Sequence, residues 1–102
     1  MAQPLPYCVY VLRSRKDGDL YVGYTTDLAQ RLDQHSHGEN RSTAPRRPLN
    51  LIFCEFYLSA DDAQRREGYL KTGPGKRGLK LILRRTLQAE SPDRATSRAS
   101  PP

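Results

Sequence analysis

The fold of this chain is decided by residues 7–24, which read YCVYVLRSRKDGDLYVGY. Two runs in this stretch, 7–12 and 20–24, are rich in the β-branched and aromatic residues that favour β-strands. The polar segment between them contains Asp17-Gly18, a dipeptide that favours tight hairpin turns. The stretch therefore predicts a β-hairpin, around which we expect the rest of the domain to form.

The predicted hairpin has two tyrosines on one face. With a two- or four-residue loop, opposed residue numbers sum to an odd value, so Tyr10 and Tyr21 point to the same side. With the four-residue loop, Gly23 lies opposite Tyr10 and leaves a gap beside its ring. A three-residue loop or a bulge would break this relation, and tyrosines are ordinary strand residues. A functional pair and a chance pair therefore both remain open.

A helix and a third strand are predicted after the hairpin. Capping side chains before the segment and Gly38 after it predict a helix over residues 27–37. A basic loop, 39–48, then leads to the most apolar segment of the chain, 49–57. Its composition predicts a third strand, which we expect to be well buried.

The remaining apolar segments predict two more helices. Ser59 and Asp62 have the spacing of a capping box, which opens a helix running to about residue 72. The Gly-Pro-Gly sequence at 73–75 is expected to end it, and residues 79–87 are expected to form a last short helix. The order β-β-α-β-α-α predicts an α+β domain, in which helices flank a small three-stranded, antiparallel-dominated sheet.

Length and composition limit the chain to one small folded unit. A chain of 102 residues can bury only a modest core. Residues 88–102 have no apolar periodicity, so we expect a disordered tail there. Residues 1–6 contain two prolines and are expected to be flexible as well. The folded domain is therefore predicted over residues 7–87.

The charge of the chain favours a polyanionic partner. Seventeen Lys+Arg against eleven Asp+Glu give a formal net charge of +6. Nucleic acid and an anionic membrane surface both suit this excess. No apolar run is long enough to span a bilayer, and no basic-then-apolar secretory signal begins the chain. Cys8 and Cys54 lie in apolar runs and are expected as buried, reduced thiols, so we predict a cytoplasmic protein with no membrane partner.

Two polar side chains of the first predicted helix lie beside its apolar stripe. On a helical wheel, Arg31 and His35 fall about 60° and 20° from Leu28, away from the other polar residues. They are one turn apart on the same side. They either form part of a functional site at the edge of the core or have only a structural role in the helix. In the second case, the Arg31 stem covers apolar surface and His35 is satisfied locally.

The second predicted helix carries a carboxylate in the middle of its apolar face. On the wheel, Glu67 falls near Ala63 and Leu70. A carboxylate that points toward a core is costly unless it is paired or binds a metal ion. A metal site and a buried salt bridge to an arginine therefore both remain open. The presence of Arg31 and His35 favours the site.

Together these residues resemble the signatures of the GIY-YIG nuclease superfamily. The resemblance is closest to small stand-alone bacterial members, which are similar to the N-terminal catalytic module of excinuclease. The Gly-Ile-Tyr signature corresponds to Cys8-Val9-Tyr10, and the Tyr-Ile-Gly signature to Tyr21-Val22-Gly23. An Arg four residues before a His matches Arg31 and His35. The lone glutamate of the later family helix matches Glu67.

The resemblance covers residues 7–87 and departs from the family pattern at two places. Cys8 stands where the first signature has glycine, and valine twice replaces isoleucine. Some members also place a polar residue, often asparagine, in the active site after the glutamate. No asparagine follows Asn50 here, so that role is unfilled or belongs to a lysine or arginine.

The resemblance implies a metal-dependent DNA endonuclease of repair or recombination that uses one Mg²⁺ or Mn²⁺ ion. Glu67 would be the metal ligand, and Arg31 would bind non-bridging phosphate oxygens. Tyr10 would hydrogen-bond the attacking water and act as, or relay to, the base. Its ordinary pKa of about 10 means that the ion or Arg31 must favour the phenolate. Tyr21 and His35 would orient the nucleophile and the phosphate.

DNA contacts are expected from the second signature and from two basic segments. The predicted substrate-binding residues are Gly23, Arg41, Arg46, Arg47, Lys76 and Arg77. The segment that contains Lys76 and Arg77 also suits a turn between helices with solvated charges. Two alternatives to the enzyme remain, a non-catalytic nucleic-acid-binding module and an adaptor that joins other repair proteins.

Overall fold

A three-stranded antiparallel sheet forms the centre of the computed structural model, which describes residues 3–90. The strands are β1 at Tyr7–Ser14, β2 at Leu20–Thr25 and β3 at Leu49–Tyr57. The strand order is β2-β1-β3, so β1 is paired along both edges. Residues 3–6 precede β1 without regular secondary structure. The α+β class and the three-stranded sheet are therefore confirmed.

Within the described residues 3–90, four α-helices accompany the sheet. They are α1 at Leu28–Ser36, α2 at Ala60–Leu70, α3 at Gly73–Ile82 and α4 at Arg84–Glu90, with a short 3₁₀ turn at Ala44–Arg46. The predicted caps are present: the Asp27 side chain accepts from the Gln30 N–H and the Ser59 side chain from the Asp62 N–H. No helix within residues 3–90 has the length and apolar character needed to cross a membrane.

The Gly-Pro-Gly sequence at 73–75 was expected to end a helix, but it begins α3 instead. The predicted order β-β-α-β-α-α therefore contained one helix fewer than residues 3–90 form. The Thr72 side chain accepts a hydrogen bond from the Gly75 N–H at 3.1 Å and caps α3. Pro74 is tolerated in the first turn because its missing N–H would have no partner there. A Cβ on Gly75 would overlap the Tyr69 carbonyl, so glycine allows α2 and α3 to approach closely.

The C-terminal helix runs beyond the predicted domain boundary. α4 ends at Glu90, whereas the tail was predicted to begin at residue 88. The rest of the predicted tail, residues 91–102, lies outside the described residues, as do residues 1–2.

The hairpin has the four-residue loop. The Ser14 N–H donates to the Asp19 carbonyl at 2.9 Å, which leaves residues 15–18 as the loop. Gly18 has a φ of +79°, a conformation that glycine adopts without strain. Tyr10 is consequently paired with Gly23, as the parity of the residue numbers predicts.

Burial on both faces of β1 makes this strand the centre of the core. Val9 and Val11 are fully buried in one cluster with Ala63 and Leu70 of α2. Alternate side chains of β1, including Leu12, point to the opposite face, where α1 packs. β1 is buried on both sides because it is the middle strand.

The prediction that β3 is well buried is wrong. No residue of this strand is fully buried, and Phe56 is 45% exposed. β3 is an edge strand, and burial depends on neighbours as well as on apolar composition. Cys54 is for this reason an exposed thiol, whereas Cys8 on β1 is buried; both are free. Burial, with a smaller effect of the Cys54 thiol, raises the pKa of Cys8 to about 11.

Candidate functional site

A cleft of about 580 Å³ lies on the β2 side of the sheet. All five residues predicted to be catalytic line it, although they come from separate parts of the chain. They are Tyr10 and Tyr21 from the hairpin, Arg31 and His35 from α1, and Glu67 from α2. The fold therefore brings together the side chains that the sequence pattern singled out.

The pairing of Tyr10 with Gly23 shapes the base of the cleft. Tyr10 is only 3% exposed, and a Cβ on Gly23 would overlap its ring and its hydroxyl. Any larger residue at position 23 would have to displace the Tyr10 ring. Gly23 does line the cleft, but its first effect is to make room for this side chain.

Three buried side chains form a chain of hydrogen bonds at the base of the cleft. The Tyr10 hydroxyl is 2.9 Å from His35 Nε2, and His35 Nδ1 is 2.8 Å from Thr43 Oγ1. His35 and Thr43 are 5% and 2% exposed. Thr43 was not predicted as a site residue, since a threonine in a polar loop carries no distinctive pattern.

The loop that holds Thr43 is itself organised by an asparagine. The Asn40 side-chain oxygen accepts from the Ser42 N–H at 3.0 Å and from the Thr43 N–H at 3.3 Å. Such local bonds from an asparagine stabilise turns. They place the Thr43 side chain against His35.

The ionisation of His35 and Tyr10 follows from their burial. Burial lowers the pKa of His35, and the positive charge of Arg31 lowers it further. Burial raises the pKa of Tyr10, while Arg31, which approaches the hydroxyl as a hydrogen-bond donor, lowers it in part. The net direction of the Tyr10 pKa is upward, so the effect of Arg31 toward the phenolate is outweighed by burial. At neutral pH, His35 is a neutral imidazole and Tyr10 a phenol.

One arrangement of protons satisfies every member of this chain. An arginine can only donate, so Arg31 lowers the Tyr10 pKa as a donor near the hydroxyl oxygen, and this arrangement directs the Tyr10 hydroxyl proton to His35 Nε2. The neutral ring then carries its proton on Nδ1 and donates it to the Thr43 oxygen. His35 Nε2 is therefore an available proton acceptor that faces Tyr10.

Glu67 lies in the cleft and not in the core. Its side chain is 23% exposed, and Oε2 is 3.0 Å from the Lys71 amine, one turn further along α2. The partner is thus a lysine and not the arginine considered from the sequence. A helical wheel gives the direction of a side chain but cannot show where the sheet below it ends. In the structure the Glu67 side chain lines the cleft.

The residues around Glu67 fit an ion that needs few protein ligands. Within residues 3–90, no group of three or more His, Cys, Asp or Glu side chains gathers as a metal cage. Mg²⁺ retains several waters and is commonly bound by one or two carboxylates together with phosphate oxygens of a substrate. A single half-buried carboxylate in an open cleft suits this coordination.

Comparison with known proteins identifies the family. The sequence profile described as the GIY-YIG catalytic domain matches residues 6–80. The chain belongs to the GIY-YIG family. UPF0213 proteins of Staphylococcus aureus strains Mu3 and Mu50 are each 36% identical to it over 78 residues, which is 76% of this chain and 94% of theirs. The resemblance seen in the sequence is thereby confirmed.

A solved structure also resembles this GIY-YIG chain. It is the solution NMR structure of a UPF0213 protein from Bacillus halodurans, with 30% sequence identity and a TM-score of 0.50. The likeness covers 92% of this chain and 96% of the other. The GIY-YIG domain is thus shared by small proteins of similar length.

Most of the arginines predicted to contact substrate lie outside the cleft of this GIY-YIG domain. Arg46 pairs with Asp17 at 3.1 Å and joins the loop to the hairpin. Arg47 donates from Nε to the Ala44 carbonyl at 2.9 Å. The cleft-lining residues also do not include Arg41 or Arg77. All four arginines are exposed, so their contact with substrate outside the cleft stays a prediction.

Lysines supply the positive charge of the cleft. Lys76, a predicted contact, lines it together with Lys71 and Lys80, which were not predicted. Their spacing is the signal that could have found them, since Lys71 follows Glu67 by four residues and Lys80 follows Lys76 by four.

Proposed function

We propose that this GIY-YIG protein is a metal-dependent endonuclease that hydrolyses phosphodiester bonds in DNA, in repair or recombination in the cytoplasm. Membership of the family supports the nuclease class. The finer proposal rests on one observation. A phenol bonded to a neutral imidazole, a guanidinium and a half-buried carboxylate share one basic cleft.

Tyr10 and His35 activate the attacking water in this proposal. The Tyr10 oxygen takes a proton from the water while the Tyr10 hydroxyl proton passes to His35 Nε2. The water becomes a hydroxide nucleophile, Tyr10 remains a neutral phenol and His35 becomes an imidazolium. No free phenolate has to form, which agrees with the raised pKa of Tyr10. The Thr43 oxygen holds the ring so that Nε2 keeps facing Tyr10.

The cationic side chains stabilise the charge that develops on the phosphate. Arg31 presents a planar donor set that matches the non-bridging oxygens. Glu67 would hold the metal ion, which supplies Lewis-acid stabilisation of the phosphate oxygens. Lys71 orients the Glu67 carboxylate into the cleft through its ion pair. Tyr21 lines the cleft beside Tyr10 and orients the nucleophile or the phosphate.

A second candidate function is a nucleic-acid-binding module without catalysis, acting alone or as an adaptor for other repair proteins. The observation in its favour is the ion pair between Glu67 and Lys71, which already neutralises the carboxylate proposed to hold the metal ion. Three lysines and Arg31 then make the cleft suitable for binding a phosphate backbone.

Cleavage of labelled branched, nicked and linear DNA with Mg²⁺ or Mn²⁺ distinguishes the two functions. We expect metal-dependent cutting by the wild type and a loss of at least about 100-fold in Glu67→Ala and in Arg31→Ala. Asp61→Ala is the matched control, because it removes an exposed carboxylate from the same helix. Binding without cutting on every substrate would favour the module. Cutting that survives in Glu67→Ala would remove Glu67 from the mechanism.

A further inference from the structure

Two lysines of α3 line the cleft without an acidic partner. Lys76 and Lys80 both belong to its wall. Among the ion pairs formed within residues 3–90, neither lysine takes part in one. The sequence of α3 itself contains no Asp or Glu that could neutralise them.

Two other basic residues, Lys71 and Arg66, differ in this respect. Lys71 forms an ion pair with Glu67. Arg66 forms a bidentate ion pair with Glu55, with nitrogen–oxygen distances of 2.9 and 3.1 Å. Those charges are largely compensated inside the protein. The α3 lysines are therefore a source of uncompensated positive charge in the cleft, where a concave wall concentrates the potential.

The spacing of the two lysines suits a polymer of phosphates. Four residues of an α-helix rise by about 6 Å, so the two side chains leave α3 one turn apart on the same side. This separation is on the order of the distance between successive phosphates along one strand. A single small anion would need only one of the two ammonium groups.

We propose that Lys76 and Lys80 bind two successive phosphates of the strand to be cut, so that this strand runs along α3 and past Glu67. The inference rests on the proposed function and adds the path of the substrate. It assigns a binding role to Lys80, which no sequence motif indicated. It also explains why Lys76 faces the cleft while Arg77, the next residue, does not line it.

The salt dependence of DNA binding tests this path. Each phosphate contact contributes about 0.9 to the slope of log K against log[salt] for duplex DNA. In EDTA, with a labelled duplex, we expect the slope to fall by about 0.9 in Lys76→Gln and in Lys80→Gln, and by about 1.8 in the double variant. Arg65→Gln is the control, because it removes the same charge from α2 at about 160° from Glu67 around the helix.

An unchanged slope in Lys80→Gln, or an equal fall in Arg65→Gln, would overturn the inference, as would a wild type that binds no DNA at low salt. The binding buffer contains EDTA and no metal ion, so the measured slopes do not depend on cleavage. Slopes that fall as expected, with a wild type that never cuts, would support the strand path and reject the endonuclease. Cutting by the wild type, together with unchanged slopes in the lysine variants, would support the endonuclease and reject the strand path.

Discussion

At the scale of single residues, the hydrogen bond between Thr43 and His35 controls what Tyr10 can do. Tyr10 has a raised pKa, so it is a poor base unless its proton has a destination. His35 provides that destination only while it is neutral and while Nε2 faces Tyr10. Burial and Arg31 lower the pKa of the ring, and the Thr43 hydroxyl can accept from Nδ1 in the tautomer that leaves Nε2 free.

We expect Thr43→Val to slow cleavage by roughly 10-fold or more, because the His35 Nδ1 proton loses its acceptor and an unsatisfied buried donor costs about 1–3 kcal/mol. Valine has nearly the shape of threonine, so the fold should persist. Single-turnover cleavage measures the effect, and Thr43→Ser should retain most of the rate. Equal rates for all three proteins would show that the contact is only structural.

The acid limb of the pH profile follows from the direction of the His35 shift. Since the pKa lies below the ordinary value of 6.5, His35 should stay neutral at pH 6.5 and protonate only at lower pH. Activity should therefore be retained at pH 6.5 and be lost as the pH falls through the lowered pKa. In Arg31→Gln, one cause of the shift is gone, so the His35 pKa measured by NMR titration should rise. A pKa that does not move would contradict the role given to Arg31.

At the scale of elements, the hairpin creates the site because its register places a glycine against Tyr10. The four-residue loop determines this register, and one more or one fewer loop residue would put another side chain opposite the ring. Two other local features, the edge position of β3 and the capped start of α3, shape the rest of the domain. They decide which surfaces the helices can cover.

Gly23→Ala should destabilise the protein by about 1–3 kcal/mol, because the added methyl overlaps the Tyr10 ring. Chemical denaturation gives the free energy of unfolding. The penalty should shrink in a Tyr10→Ala background, where no ring is present to be displaced. Gly68→Ala is the control: nothing lies within 4 Å of a Cβ there. It should stabilise α2 by about 0.5–1 kcal/mol.

The ion pair between Glu55 and Arg66 joins β3 to α2 and should make stability depend on acid. Burial raises the pKa of Glu55, but hydrogen bonds from Arg66 and Tyr57 lower it by more. A lowered carboxyl pKa contributes stability above the ordinary value of 4.5, and this contribution is lost as the pH falls through the folded value. Glu55→Gln should lower stability at pH 7 by about 1 kcal/mol and flatten its acid dependence. Identical stability–pH curves for the two proteins would contradict this.

At the scale of the whole molecule, the excess positive charge and the cleft work together. A net charge of +6 attracts a polyanion from any direction, but the cleft lysines lie beside the side chains proposed to be catalytic. The Glu67 carboxylate lies among them, and it opposes DNA binding unless Lys71 or an ion compensates it.

Glu67→Ala should therefore bind DNA as tightly as the wild type or a few-fold more tightly in metal-free buffer, although its cutting is lost. Fluorescence anisotropy with a labelled duplex gives the Kd. Asp61→Ala should bind like the wild type, since its carboxylate lies outside the cleft. A much weaker Kd for Glu67→Ala would mean that the carboxylate supports the structure of the cleft.

The sequence alone determined the hairpin, the capped helices and the five candidate catalytic residues that line the cleft, and it placed Tyr10 against Gly23 for a four-residue loop. These features depend on local rules, namely alternation in strands, turn composition and side-chain caps, and on the order of the family signatures. Only the tertiary structure decided that β3 is an edge strand, that Glu67 pairs with Lys71, and that Thr43 and Lys80 belong to the site. Each of these depends on which surfaces distant segments bring together, and no local pattern in a single sequence encodes that.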